Sequence, residues 1–149
     1  MMQDFLEKAA IGELVHRYAT MVDTFRLEET LDCWTDDAVF DETDTGFGTF
    51  SGREELRHFF QDQVFSRHRL LIHLTGNHLV TLGEKGRASG TAFVMAESIR
   101  LDGVRSRMIA MYEDEYIKGA DGVWRFSRRT MRRAFPREYS HLTPPPEQA

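Results

Sequence analysis

Asp23 and His73 are the two side chains of this sequence best suited to act together in acid–base chemistry, although they lie fifty positions apart. His73 belongs to an alternating run from Arg69 to Thr81, on a side that mixes apolar and polar residues as a pocket wall does. A core histidine satisfied by one neighbour is the alternative. Asp23 lies near the predicted C-terminus of a helix, where its charge opposes the helix dipole and needs a compensating partner. An imidazole would be such a partner, but periodicity cannot show that the two groups meet.

Tyr18 is a third candidate, because its phenol lies on the buried stripe predicted for the same helix. A hydroxyl at that place could donate a hydrogen bond to a substrate oxygen. No metal site is predicted, because His16 has no histidine four residues later and His73 and His78 have opposite strand parity. The sequence holds no glycine-rich phosphate loop and no CxxC pair either, so we expect no cofactor.

Three helices followed by long strands are predicted to position these groups. The first helix opens with a capping box at Asp4–Glu7 and ends near Asp23 to Phe25, and a second helix covers 27–34. A short strand at 38–42 and a third helix at about 53–64 follow. Long strands are expected at about 69–82, 87–101, 105–118 and 123–134, separated by glycine-containing turns. The pattern predicts an α+β fold with helices on one side of a curved antiparallel sheet.

Length and composition indicate one globular domain. The 149 residues carry a net charge of −5, which disfavours nucleic acid as a partner. The cluster Arg128, Arg129, Arg132 and Arg133 is interpreted as solvated edge or interface charge, because a strand divides its members between two faces. Cys33 is the only cysteine, so no intrachain disulfide is possible, and no apolar run is long enough to span a membrane. The N-terminus lacks a signal-peptide pattern, so we expect a cytoplasmic location and no membrane partner.

Several segments carry a family resemblance. Tyr18, Asp23 and Trp34–Phe40 together resemble the opening of the SnoaL-like branch of the nuclear-transport-factor-2-like (NTF2-like) superfamily, whose fold is cone-shaped. Ser51–Leu56 resembles the third helix of that fold, and Asp121–Phe126 its last turn and strand. The resemblance implies three N-terminal helices packed on a strongly curved, mostly antiparallel sheet that encloses a pocket. It implies one domain over residues 1–140 and a homodimer or higher homo-oligomer formed through the outer sheet face. A Pro-rich tail over 141–149 is predicted from the sequence itself, because its prolines cannot continue a strand or a helix.

The resemblance extends to the scytalone dehydratase-like members, which keep an aspartate and a catalytic histidine at the positions of Asp23 and His73. It implies a cofactor-free lyase of the dehydratase type, acting on a small cyclic, aromatic or polyketide-like compound. His73 would be the general acid and base, Asp23 its orienting carboxylate, and Tyr18 a donor to the substrate oxygen. Two features of the pattern differ, since the segment 93–96 holds no second histidine and Val22 and Glu42 replace tyrosines.

Two other functions stay open. Tyr18, Glu42 and Glu113 lie near the positions where ketosteroid-isomerase-like members carry a tyrosine donor, a carboxylate base and a protonated acid. Both glutamates lie in acidic runs, so ordinary solvated charge is the alternative for each. The second function is non-catalytic: a ligand-binding module, or a structural subunit of the type found as the small subunit of ring-hydroxylating dioxygenases.

Overall fold

The described part of the chain, residues 1–141, has its helices in the first half and its long strands in the second. The computed structural model contains helices α1 (Met2–Asp23), α2 (Leu27–Leu31) and α3 (Gly52–His58). Helix α3 continues directly into a π-helix over Phe59–Phe65. The strands are β1 (Trp34–Glu42), β2 (Gly48–Ser51), β3 (His68–Leu82), β4 (Arg87–Arg100), β5 (Val104–Lys118), β6 (Trp124–Arg133) and β7 (Glu138–His141). The four long strands therefore agree with their predicted bounds to within one residue at each end.

Within residues 1–141 the strands form one sheet in the order β2-β1-β6-β5-β4-β3, with β7 added beside the first part of β5. Strand β1 runs parallel to β6, and the other pairings are antiparallel. The helices pack on this curved, open sheet. The predicted α+β cone with a mostly antiparallel sheet is therefore confirmed. The parallel pairing of β1 with β6 was not visible in the sequence pattern.

Helix α1 differs from the prediction at its start. It begins at Met2 and no side chain caps it, so the predicted capping box at Asp4–Glu7 is wrong. The Glu7 carboxylate instead accepts hydrogen bonds from Lys118 Nζ at 2.7 Å and from Trp124 Nε1 at 2.6 Å. Those partners lie at the hairpin between β5 and β6. Glu7 therefore connects α1 to the sheet, in addition to accepting a hydrogen bond from Gln3 in the first turn of the helix.

The second helix is shorter than predicted because the sheet begins earlier. Helix α2 ends at Leu31, and Trp34, which the periodicity placed in the helix, is the first residue of β1. Trp34 pairs with Phe126 across the parallel β1–β6 contact. Hydrogen bonding to β6 therefore overrides the local helical pattern, and the strand predicted at 38–42 is the second half of β1.

The C-terminal part of the described chain forms one more short strand. Strand β7 pairs with Val104–Arg107 of β5, and His141, expected in the tail, is its last residue. The remainder of the predicted tail, residues 142–149, lies outside the described residues. Among the helices of residues 1–141, none has the length and hydropathy required to cross a membrane.

The buried stripe of α1 packs against aromatic side chains and determines where the end of the helix lies. The stripe consists of Ile11, Leu14, Val15, Tyr18, Ala19 and Val22. Tyr18 makes edge-to-face contacts with Trp34, Phe60 and Phe126, with ring centroids 5.7, 6.1 and 5.5 Å apart. Burying one large apolar side chain typically contributes ~1.5–3 kcal/mol. Several such contacts fix α1 on the sheet and place its last residue, Asp23, against β3.

Strand β3 turns its mixed face inward and its uniformly apolar face outward. Leu71 is buried and His73 half-buried on the inner side. Leu70, Ile72 and Leu74 point away from the helices and are 36%, 43% and 64% exposed. This is the reverse of the usual pattern, in which the apolar face of a sheet covers the core. The sequence pattern therefore marked the correct face of β3 for His73.

Candidate active site

His73 and Asp23 meet where the end of α1 lies against β3. His73 Nδ1 is 2.5 Å from Asp23 Oδ1, and the His73 backbone N–H donates to Asp23 Oδ2 at 2.8 Å. An ionised carboxylate only accepts hydrogen bonds, so Nδ1 carries the proton and Nε2 is left as the basic nitrogen. The side chains of His73 and Asp23 are 15% and 22% exposed. One carboxylate therefore fixes both the position and the tautomer of a partly accessible imidazole.

A cavity of about 100 Å³ lies beside the imidazole. Its apolar lining consists of Val22, Phe40, Phe47, Phe59, Phe60, Val64, Leu71, Ala96, Met108 and Met131. Its ionisable lining includes Tyr18, Glu42, His68, His73, Tyr112 and Arg137. A mostly apolar wall with a few polar groups is typical of a small-molecule site. The volume has room for several water molecules, which suits a small ring compound.

Two buried phenols, Tyr18 and Tyr112, face this cavity. Their residues are 3% and 1% exposed. Both residues line the cavity, and neither hydroxyl forms a hydrogen bond among residues 1–141. Burial raises the pKa of both phenols, so both stay protonated and can donate a hydrogen bond at neutral pH. Tyr112 was not predicted as a site residue, although it shares the buried face of β5 with Ala110 and Asp114, and this shared face was a signal that could have identified it.

Glu42 lies buried in the cavity wall, and the alternative of a solvated loop residue is wrong for it. It is 5% exposed, and the Thr45 hydroxyl donates a hydrogen bond to its carboxyl group. Burial raises the pKa of Glu42 to about 7. Glu113, the other glutamate of the isomerase hypothesis, is half-exposed on β5 and lies 3.5 Å from Arg132. Only one of the two glutamates therefore lines the cavity.

Arg129 is completely buried, which contradicts its interpretation as solvated charge. Its Nε and Nη2 donate to the two carboxylate oxygens of Asp114 at 2.7 and 2.8 Å. The guanidinium also lies over the Tyr112 ring, 3.6 Å from its centroid, and 4.8 Å from that of Tyr18. Burial alone would lower the pKa of this guanidinium, but Asp114 outweighs burial and the net direction is upward. Its Nη1 has no hydrogen-bond partner among the described residues.

An extra residue in β6 explains why Arg129 points inward. The pairing with β5 shifts between Glu115 and Tyr116, which leaves Ser127 without a partner. Such a bulge reverses the alternation of side chains along the strand. Phe126 and Arg129 therefore both face the core, whereas strict alternation from Phe126 would turn Arg129 outward.

The remaining positions of the dehydratase pattern contribute apolar surface to the site. Val22, which replaces a tyrosine, lines the cavity, and so does Ala96 from the segment that lacks the second histidine. Across residues 1–141, no three His, Cys, Asp or Glu side chains are arranged to hold a metal ion. The groups of the cavity wall that could move or donate a proton include its histidines, Glu42 and the two phenols.

Known proteins with similar sequences share this fold. Residues 3–130 match the SnoaL-like domain family. Over 123 residues the chain is 28% identical to the gamma-hexachlorocyclohexane dehydrochlorinase of Sphingobium indicum, an alignment that covers 82% of this chain and 77% of that protein.

Solved structures extend the similarity over almost the whole chain. A protein of Novosphingobium aromaticivorans, provisionally described as an aromatic ring hydroxylase, superposes with a TM-score of 0.85 at 31% identity, covering 91% of this chain and 94% of its own. A second protein of that organism, provisionally described as a scytalone dehydratase, superposes with a TM-score of 0.84 at 19% identity, covering 96% and 94%. This second match shows the fold alone. The chain belongs to the SnoaL-like domain family, within the NTF2-like cone fold.

Proposed function

We propose that this protein is a cofactor-free lyase of the dehydratase type, acting on a small cyclic, aromatic or polyketide-like compound. The observation that carries the proposal is the contact between His73 Nδ1 and Asp23 on the wall of a mostly apolar cavity. The similarity to a dehydrochlorinase supports an elimination, because that reaction also removes a proton and a leaving group from neighbouring carbons.

The imidazole is arranged for a proton transfer in two directions. His73 Nε2 removes a proton from the carbon next to a carbonyl, and the carboxylate of Asp23 stabilises the imidazolium that forms. The electron pair of the broken C–H bond forms the new C=C bond as the C–O bond to the hydroxyl breaks. Nε2 returns its proton to the departing hydroxyl, which leaves as water. Atoms and charge balance without any further reactant.

Tyr18 completes the proposed set of catalytic residues. Its buried, protonated phenol donates a hydrogen bond to the carbonyl oxygen of the substrate, where negative charge accumulates as the proton leaves. The phenol lies in the cavity wall on the same helix as Asp23, so α1 carries both the donor and the carboxylate that orients the base.

The substitution His73→Gln tests the proposal directly. It removes the basic nitrogen while keeping a polar side chain, and we expect turnover to fall by ~10²–10⁴-fold, the usual contribution of general acid–base catalysis. Turnover is followed by mass spectrometry on a panel of cyclic β-hydroxy ketones and chlorinated cyclohexanes, each with and without a carboxylate group. The panel separates loss of water from loss of chloride.

The matched control is His58→Gln. His58 also contacts a carboxylate, Asp62 at 2.8 Å, but its side chain is 80% exposed and outside the cavity. We expect this variant to keep full turnover. Equal turnover in His73→Gln and wild type would contradict the catalytic role of His73. If wild type converts no compound of the panel yet binds several, the ligand-binding or structural-subunit function replaces the lyase.

The burial of Glu42 supports a second candidate, a double-bond isomerase of the ketosteroid-isomerase type. A carboxyl group with a pKa of about 7 can take and return a proton near neutrality, and Tyr18 would bind the enolate oxygen. In that case Glu42→Gln would abolish turnover of β,γ-unsaturated cyclic ketones, whereas His73→Gln would keep it. If the protein is a lyase, His73→Gln loses turnover of the lyase substrates and Glu42→Gln keeps it.

We further propose that a second copy of this chain covers the outer face of the sheet. Leu74 and Met95 are neighbours across β3 and β4, and together with Ile72 and Phe93 they form an exposed apolar surface. Exposed apolar patches of this kind are typical of interaction sites. The cytoplasmic location expected from the sequence stays a prediction.

A further inference from the structure

Arg137 brings a positive charge to the cavity wall without a carboxylate partner. It follows β6 and lines the same cavity as His73. Its Nη2 lies 3.2 Å from the sulfur of Met108, which is a weak acceptor. Within residues 1–141 it forms no ion pair, unlike Arg105 and Arg107, which both bind Glu97. An unpaired guanidinium beside a cavity can bind an anionic group of a ligand.

Glu42 lies near Arg137 on the same cavity but does not pair with it. The charge of Arg137 acts on the Glu42 carboxyl, yet the structure shows no ion pair between the two side chains. Protonated Glu42 is a hydrogen-bond donor as well as an acceptor. A carboxylate placed between them would accept one hydrogen bond from the guanidinium and one from the Glu42 carboxyl.

The charge of Arg137 also affects His68. His68 lines the cavity, and its Nδ1 lies 2.7 Å from the Val64 carbonyl oxygen, so Nδ1 is the protonated nitrogen. Burial lowers the pKa of His68, and the charges of Arg100, Arg137 and Arg67 lower it further. The charge of Arg137 therefore acts on His68 as well as on Glu42. Arg100 is paired with Asp102, and Glu97, which also lines the cavity, is paired with Arg105 and Arg107, so among the described residues Arg137 is the lining cation left to bind an anion.

We propose that the substrate of the site is a small cyclic or aromatic carboxylate, with its carboxylate bound between Arg137 and Glu42 and its ring against the apolar wall. This inference deepens the proposed function by naming the charge of the substrate. It rests on the lyase only in assuming that the ligand of this cavity is the substrate. The ring then extends towards His73, which lines the same cavity.

Binding of such an anion should weaken as pH rises. Glu42 has a pKa of about 7, so below that pH it donates to the bound carboxylate and above it the two anions repel. Affinity therefore falls as pH passes from about 6 to about 8, and the neutral amide of the same acid shows no such change. Other titratable or charged groups that face Glu42 or share its cavity are Tyr18, Asp41, His68, His73, Glu97, Tyr112, Arg129 and Arg137. Arg107 and Arg105 hold the pKa of Glu97 below its usual value, so it does not titrate in this range.

Calorimetry with matched pairs of ligands tests the proposal without requiring turnover. The probes are benzoate against benzamide and cyclohexanecarboxylate against its carboxamide, titrated into wild type and into the His73→Gln variant. At about pH 6 we expect the acids to bind at least about tenfold more tightly than the amides, the effect of one charge-assisted contact. Arg137→Gln removes this preference. Arg132→Gln, which removes one positive charge beside Glu113 outside the cavity, keeps it.

Each outcome decides between specific alternatives. Equal affinity for acid and amide, or no carboxylate binding up to about 10 mM, overturns the proposal. A pH dependence that persists in Glu42→Gln assigns it to the histidines instead and overturns the role of Glu42. If carboxylates bind selectively to both wild type and His73→Gln but wild type eliminates nothing, the anion site stands and the lyase fails. If wild type eliminates from neutral compounds only, the lyase stands and the anion site fails.

Discussion

Two pairs of an aspartate with a basic side chain, Asp114–Arg129 and Asp23–His73, differ in what surrounds them. The side chains of Asp114 and Arg129 are both 0% exposed, and the Tyr116 hydroxyl donates a third hydrogen bond to the carboxylate at 2.9 Å. Asp23 and His73 are partly exposed, and the imidazole keeps Nε2 unbonded within the described residues. A pair whose hydrogen bonds are used internally stabilises the fold. A pair that leaves one nitrogen free beside a cavity can exchange protons with a ligand.

The largest expected effect on stability comes from breaking the completely buried pair Asp114–Arg129, the sealed pair. Asp114→Ala leaves the guanidinium of Arg129 buried without a counter-charge, and removing one partner of a buried ion pair typically costs ~3–5 kcal/mol of unfolding free energy. Urea denaturation of the variant measures this loss. An unfolding free energy within about 1 kcal/mol of wild type would show that Arg129 finds another partner, and the sealed pair would then not be the main structural element.

Breaking the partly exposed pair Asp23–His73 should lower turnover strongly and stability only slightly. Asp23→Asn keeps the shape of the side chain but removes the charge that stabilises the imidazolium of His73. We expect ~10²-fold or more loss of turnover, whereas the unfolding free energy changes by only ~1 kcal/mol, the value of one hydrogen bond. Kinetics and denaturation on the same preparation separate the two quantities. A stability loss as large as that of Asp114→Ala would make the two pairs equivalent.

Glu42 differs from both aspartates, because its buried carboxyl group has a hydroxyl partner and no paired cation among the described residues. Its pKa of about 7 lies above the usual value of 4.5 for a glutamate, so folding favours the protonated form. Stability from this group is complete below about pH 4.5 and is lost as pH rises to about 7, by ~3 kcal/mol at most. Glu42→Gln removes this dependence, so the variant should be more stable than wild type near pH 8. Parallel pH profiles of unfolding for the two proteins would contradict the assignment.

The smallest effect on turnover is expected at Tyr18, which lines the cavity and whose ring also lies beside the guanidinium of Arg129. Tyr18→Phe removes the hydroxyl that faces the cavity but keeps the ring that contacts Trp34 and lies near Arg129. Turnover should fall by about tenfold, the value of one hydrogen bond to developing charge, and the melting temperature should stay within a few degrees. A large loss of stability with normal turnover would make Tyr18 purely a core residue.

The sequence predicted the positions that depend on local alternation. The parity of β3 placed His73 on the correct face, and the period of α1 placed Tyr18 in the core. The same alternation along β1, in which Phe40 and Glu42 share a face, could have identified Glu42, but the neighbouring acidic residues suggested solvent.

The features that the sequence could not predict depend on pairing between distant strands. Arg129 faces the core because of the unpaired Ser127, and nothing in the local composition of β6 marks a bulge there. The contact between Asp23 and His73 depends on how α1 crosses β3, which no periodicity contains. The position of Arg137 beside the cavity likewise depends on the chain path after β6.

The bonds of Glu7 have a consequence for the order in which the protein forms during synthesis. Its partners Lys118 and Trp124 follow it by 111 and 117 residues, so the N-terminal helix is made first but cannot dock at that end until nearly the whole sheet has emerged. Contacts between such distant parts of a chain form late, because the intervening loop must be ordered first. The carboxylate of Asp23 lies at the other end of the same helix. A chain released early from the ribosome would therefore contain every residue of the candidate dyad and still lack a formed site.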